Sequence, residues 1–246
     1  MDYMALVIDF FEDLEKLGPG DNEQSKKALD KVYSGNGSLK ILDLGCGTGA
    51  QTIFLAKETK SEIIAVDFLQ PFLDSLDKKA HSLGLNVKTI CSSMDSLSFD
   101  ERSFDIIWSE GAIYNIGFDY GINYLKKYLK PNGYLVISEM SWFTDSRPDE
   151  INNYWKDNYS EIDTVGNKLR QLLNAGYKVV DHFPLPNYCW NNYYEQMENK
   201  EKAFLEKHQN KEAVIDFVNE QVNERKMHKK YSEYYGYEFY IVQNVI

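Results

Sequence analysis

The run Ile41-Leu42-Asp43-Leu44-Gly45-Cys46-Gly47-Thr48-Gly49 puts closely spaced glycines directly behind an apolar stretch. Glycine has no Cβ, so backbone there can approach a ligand that side chains would hold off. Asp67 ends the next apolar run, 18 residues past Gly49. An acid in that place can accept hydrogen bonds from a ribose. Several nucleotide-binding families share this pair of features. Read as Gly45-x-Gly47-x-x-Ala50, the loop also fits the dinucleotide fingerprint.

Asp43 separates these readings. It stands two positions before the first glycine. Beside a pyrophosphate it would be a like-charge neighbour within ~4–6 Å, which is unfavourable. Beside an amino acid's ammonium, or near a sulfonium, the same carboxylate attracts. S-adenosylmethionine is therefore the expected ligand. A nicotinamide-dependent oxidoreductase and a non-catalytic binding protein stand as alternatives.

The elements that would position these residues follow from pattern. Residues 3–33 read as two helical pieces broken at Gly18-Pro19-Gly20, and residues 39–44 as a buried strand. Strands follow at 62–66, 87–91, 104–108 and 134–139, with helices at 51–60, 72–83 and 120–129 between them. This rhythm implies parallel βαβ units in a doubly wound α/β sheet. Beyond Glu139 the rhythm changes. Residues 146–175 read as two helices, 177–183 as a sixth strand, 191–230 as charged helices and 238–245 as a last strand. The chain divides on this reading into N-terminal helices (1–37), a cofactor-binding core (38–145) and helical insertions at 146–175 and 187–232. The insertions are expected to cap the carboxyl ends of the strands, where open α/β sheets bind ligands.

Over residues 38–140 these blocks resemble the class I S-adenosylmethionine-dependent methyltransferases, in the small-molecule branch with the ubiquinone/menaquinone-biosynthesis-type core. Agreement is weaker out to residue 245. Asp43-Leu44-Gly45-Cys46-Gly47-Thr48-Gly49 looks like the family's first motif, and Phe104-Asp105-Ile106-Ile107-Trp108-Ser109 like its fourth-strand motif. Leu129-Lys130-Pro131-Asn132-Gly133-Tyr134-Leu135 looks like the turn before strand five. The resemblance implies a Rossmann-like seven-stranded sheet, mostly parallel, with an antiparallel last strand beside the sixth. It implies that Asp43, Gly45, Cys46, Gly47, Gly49 and Ser109 belong to the cofactor site. Asp67 would bridge both ribose hydroxyls, Phe68 would pack on the adenine, and Ser93, Met94 and Asp95 would read the adenine edge. Many members carry an acid where Ser93 stands; here the available acid is Asp95, two positions on.

The acceptor side should follow the carboxyl ends of strands four, five and six. Glu110 and Tyr114 come after strand four, Glu139 and Trp142 at or after strand five, and His182 lies on strand six with Tyr188 and Trp190 behind it. Glu110, Tyr114 and His182 are the catalytic candidates, and Trp142, Tyr188 and Trp190 the candidates for a substrate pocket. None is singled out as the base. His182 in an apolar strand also fits an ordinary core histidine, and the charged stretch 195–211 a solvated helix face.

Composition narrows the class. The formal charge is −11, which repels phosphate backbones and anionic lipids and makes nucleic acid a poor partner. No apolar run reaches ~18 residues, so no membrane span is expected. The start carries acids and no basic head, unlike a signal peptide. Three separated cysteines suit a reducing, cytoplasmic setting. The four histidines are scattered, without zinc-ligand spacing, so no metal is expected. The partner is a small molecule; a homodimer is compatible with the sequence. The 18 tyrosines either pack or wall a pocket.

Overall fold

The computed structural model describes residues 2–35 and 37–245. The sheet is built first from β1 (Lys40–Leu44), β2 (Glu62–Asp67), β3 (Val87–Cys91) and β4 (Phe104–Glu110). It continues with β5 (Leu129–Trp142), β6 (Asp163–Thr164), β7 (Tyr177–Pro184) and β8 (Tyr235–Asn244). Strand order is β3-β2-β1-β4-β5-β8-β7, with β6 pairing β5 off this path. Neighbours up to β5 run parallel, whereas β8 runs antiparallel to both β5 and β7. The chain crosses back at β1, so β1 and β4 frame the switch point where such sheets take ligands. The seven long strands match the expected doubly wound sheet; β6, two residues long, is an addition the sequence did not announce.

Central strands are apolar on both sides because helices cover both faces. Along β1, Ile41 joins one core layer and Leu42 and Leu44 the other. The first layer holds α2 (Asn22–Leu29) and α3 (Ala50–Thr59), and the second α5 (Phe118–Lys126) and α7 (Val165–Asn174). α4 (Gln70–Ser82) packs on β3 and β2. Local chemistry starts these helices. The Asp21 carboxylate caps α2 by accepting from Gln24 N at 2.9 Å, and Thr164 caps α7 by accepting from Asn167 N. Pro71 sits in the first turn of α4, where its missing N–H costs nothing.

The later helices α8 (Asn187–Lys207) and α9 (Glu212–Tyr231) pack against α1 (Tyr3–Phe11) through an aromatic knot. Phe10 meets Phe204 edge-on at 5.0 Å and Phe217 at 5.4 Å. α8 and α9 reach over the carboxyl ends of the strands. The other insertion behaves differently. α7 packs along β7 and β8, and α6 (Asp149–Asn158) sets Trp155 against Tyr235. No residue of 146–175 lines the central cavity. It behaves as a layer of the sheet rather than a cover.

Two of the shifted boundaries bear on the site and the sheet. β8 begins at Tyr235, three residues before the expected start, so Tyr235 and Tyr237 are strand residues. The Pro131-Asn132-Gly133 turn lies inside β5 as a register shift between Phe104 and Ile106 of its partner, with Asn132 at φ +62.

Candidate functional site

The glycine loop leaves β1 and enters α3 through backbone that favours glycine: φ is +68 at Gly45, +54 at Gly47 and +88 at Gly49. A Cβ on Gly45 would lie 2.3 Å from Ala112 Cβ, and one on Gly47 2.7 Å from Leu17 Cδ1. The loop is thus clamped between the segment after β4 and the chain between α1 and α2. Above it opens a cavity of about 610 Å³, lined by Gly45, Cys46, Gly47, Asp67 and Phe68 at one end.

Asp67 is held ready. Gly47 N donates to its Oδ2 at 2.8 Å and Leu69 N to its Oδ1 at 2.9 Å. A carboxylate has about four acceptor positions, so two remain for hydroxyl groups of a ligand. Phe68 beside it is 67% exposed, a large apolar face left uncovered at the cavity rim. Ser93, Met94 and Asp95 form another wall, where the Ser93 hydroxyl donates to the Asp95 carboxylate. Thr48 Oγ1 is buried in the lining with no hydrogen-bond partner among the described residues.

Asp43 is placed otherwise than its charge suggested. It lies on the α3 face of β1, 2% exposed and outside the cavity lining. The Thr52 hydroxyl donates to its Oδ2 at 2.5 Å. Burial pushes its pKa up to about 7, against the lowering effect of that hydrogen bond. It ties β1 to the first turn of α3, beneath the loop rather than at its mouth. Ser109 is likewise structural: its hydroxyl donates to Leu44 O at 3.0 Å, stitching β4 to β1. Gly49 caps α3 and does not line the cavity.

The acceptor-side candidates divide. Glu110 and Tyr114 line the cavity. Glu110 already accepts three hydrogen bonds. Ser25 Oγ donates to its Oε1 at 2.6 Å, Trp108 Nε1 to the same oxygen at 2.9 Å, and Lys16 Nζ to Oε2 at 2.9 Å. It fastens the 16–25 segment onto the cleft, and three of its about four acceptor positions are filled. Tyr114 sits in the 3-10 turn Ile113–Ile116 with its ring 5.8 Å from Tyr159; burial raises its pKa.

His182 is not in the cavity. Its side chain is 41% exposed on the edge strand β7 and meets Glu238 at 2.6 Å. Trp142 and Trp190 are one layer behind the wall, being large apolar rings that fill the core: Trp142 lies against Tyr235 and Arg147, and Trp190 stacks on Tyr237 at 5.3 Å. Tyr188 faces outward and accepts from Gln24 Nε2 at 2.9 Å.

Sequence reasoning missed Tyr193, Gln221 and Glu224, and left Tyr237 open between packing and walling a pocket. Tyr193, Gln221, Glu224 and Tyr237 complete the far end of the cavity. A signal existed in α9: Val214, Phe217, Gln221, Glu224, His228 and Tyr231 recur at helical spacing, so three polar residues interrupt an apolar stripe. Deeper, Glu139 of β5 pairs with Lys168 of α7 at 3.4 Å, both side chains fully buried. Burial drives the carboxyl's pKa up and the ammonium's down. No group of three or more potential metal-binding side chains occurs among the described residues.

Comparison with known proteins gives this geometry a family. Residues 41–133 match the methyltransferase domain family. The phosphoethanolamine N-methyltransferase of Plasmodium falciparum is 26% identical over 220 residues, covering 87% of this chain and 79% of that one. A demethylmenaquinone methyltransferase of Lactobacillus johnsonii is 33% identical over 143 residues, covering 56% and 58%. Of the plant phosphoethanolamine enzymes the chain spans about a third, 33% for that of Arabidopsis thaliana. The structure of a SAM-dependent methyltransferase from Thiobacillus denitrificans, bound to S-adenosyl-L-homocysteine, superposes with TM-score 0.84 at 19% identity, covering 98% and 99%. Over residues 41–133 the chain thus matches the methyltransferase domain family, and its fold is that of solved S-adenosylmethionine-dependent methyltransferases.

Proposed function

We propose that the cavity holds S-adenosylmethionine at its glycine-loop end and a small-molecule methyl acceptor at its tyrosine-lined end. One observation carries this reading: a single cavity runs from Gly47 and Asp67 to Tyr193 and Tyr237. The residues present suit the cofactor. The glycine loop presents bare backbone to the cavity, and Thr48 Oγ1 lacks a partner among the described residues that a ligand could supply. Asp67 would accept from the ribose hydroxyls, Phe68 would cover the adenine, and Met94 and Asp95 would meet its edge.

When bound, S-adenosylmethionine supplies a methyl group on a positively charged sulfur. The chain's own task is alignment: the loop fixes one reactant and the far wall the other, in line. Such positioning reaches effective molarities of ~10⁵–10⁸ M. Glu110 serves here by anchoring Lys16 and Ser25, which brings Leu17 down onto the loop and keeps water out.

No helix among the described residues is long and apolar enough to cross a membrane. With a net charge of −11, we place the protein in the cytoplasm, acting on a dissolved metabolite. A phosphorylated acceptor, as the Plasmodium relative's name implies for that enzyme, has no evident holder here: Lys16, the cation in the lining, is already paired. Release of S-adenosylhomocysteine on incubation with fractionated metabolites tests the reading. Calorimetry that found tight NAD binding and no response to S-adenosylmethionine would overturn it.

A further inference from the structure

α9 brings a carboxylate into the cavity that no step above uses. Glu224 lines the far end. One of its oxygens accepts from Tyr194 Oη at 3.1 Å, and no cation among the described residues pairs with it. Its neighbour Arg225 is committed to Glu198 and Glu201, at 3.0 and 2.6 Å. Burial raises the Glu224 pKa, as expected of an acid withdrawn from water without a counter-charge.

The wall around it is aromatic. Tyr114, Tyr193 and Tyr237 come from three separate elements, and all three line the same cavity as Glu224. Tyr237 is backed by Trp190 at 16° between planes, and Trp190 by His228 at 4.1 Å, so the wall is a fixed stack. A half-buried anion without a counter-charge is costly unless a partner arrives. Ring faces beside an anion are the chemistry that recognises an ammonium group. They are the wrong chemistry for a phosphate, since the one cation among the described lining residues, Lys16, lies 2.9 Å from Glu110.

We infer that Glu224, with Tyr114, Tyr193 and Tyr237, forms the acceptor subsite and that the acceptor is an unphosphorylated aliphatic amine. This rests on the methyl-transfer reading and adds the class of substrate to it. The ammonium passes a proton to the Glu224 carboxylate. The freed nitrogen lone pair forms the N–C bond while the C–S bond breaks, its electron pair staying on sulfur. The products are the methylated ammonium and S-adenosylhomocysteine, with Glu224 left protonated until the cavity reopens to water.

The test uses shape-matched probes. Choline and its neutral isostere 3,3-dimethyl-1-butanol are titrated calorimetrically into the full chain saturated with S-adenosylhomocysteine, with phosphocholine as a third probe. Choline should bind saturably and at least tenfold more tightly than the neutral alcohol and than phosphocholine. Glu224→Gln should abolish that preference while leaving S-adenosylhomocysteine affinity unchanged. Equal binding of choline and the alcohol in the wild-type chain, tighter phosphocholine binding, or a preference that survives Glu224→Gln in a chain still binding S-adenosylhomocysteine overturns the inference. The wild-type comparison stands even if the variant misfolds. If S-adenosylhomocysteine itself fails to bind the wild-type chain, the methyl-transfer reading falls and this inference with it.

Discussion

Asp43→Asn separates two roles for an acid that the sequence placed at a ligand and the structure places in the core. The carboxylate is 2% exposed, with the Thr52 hydroxyl donating to it, and its pKa is raised from 3.8 to about 7. A raised folded-state pKa means that between these values the folded chain holds a proton the unfolded chain has released. Stability is then greatest at low pH and is lost as pH rises towards 7. From pH 5 to the folded pKa of about 7 is 2 units, and at 1.36 kcal/mol per unit the loss is about 3 kcal/mol. Asparagine keeps the acceptor for Thr52 and carries no charge at any pH. Its own packing cost is the same at every pH and cancels in the comparison. Unfolding followed by circular dichroism at pH 5 and at pH 8.5 should therefore show the variant gaining about 3 kcal/mol on the wild type, a shift of roughly 6–12 °C in melting temperature for a chain this long. Parallel pH profiles for the two proteins would refute the argument, because they would mean that Asp43 is charged in the fold at no cost. A more than tenfold loss of S-adenosylmethionine affinity in the variant would return Asp43 to the ligand.

Asp67→Ala should weaken S-adenosylmethionine binding by ~1–3 kcal/mol through lost hydrogen bonds; calorimetry showing no change would remove Asp67 from the site. Lys168→Met, by stranding the buried Glu139 carboxylate, should destabilise the fold by ~3–5 kcal/mol, whereas the double change with Glu139→Leu should recover most of that loss. A single variant as stable as wild type in urea would mean the pair is already neutral. His182→Ala, altering an edge-strand contact outside the cavity, should leave the rate of S-adenosylhomocysteine release within about twofold, and a large fall in kcat would return the imidazole to the reaction.

The glycine-loop end of the cavity was legible because its constraints are local. Three glycines at positive φ and an acid at the end of β2 are spelled out in consecutive letters. The orientation of Asp43 was not, because a strand's alternation tells which residues share a face but not which helix will cover it. Ile41 and Asp43 share the face that α3 and Thr52 happen to occupy. The far end of the cavity depends on packing between distant segments. Trp142 and Trp190 have the right residue type but sit behind the wall, while Tyr237 reaches it because β8 starts earlier than its apolar run suggests. Glu224 was hidden in a helix whose many charges mask its single inward-facing acid. His182 was drawn in by its position on a strand, with nothing local to say that β7 is the sheet's edge.

The place of β8 has a consequence for how the chain assembles. β7 joins the sheet through β8, and β8 in turn sits against β5 over nine registered pairs from Tyr134–Gln243 to Trp142–Tyr235. Apart from the two-residue β6, the segment between β5 and β8 thus has no strand of its own next to the nascent sheet. While the chain is being made, β7 must wait, without a neighbour in the sheet, until a later stretch emerges and inserts itself between it and β5. Such long-range closure is slow and prone to association. Growth temperature and chaperone supply should therefore govern the yield of soluble protein more than its final stability does.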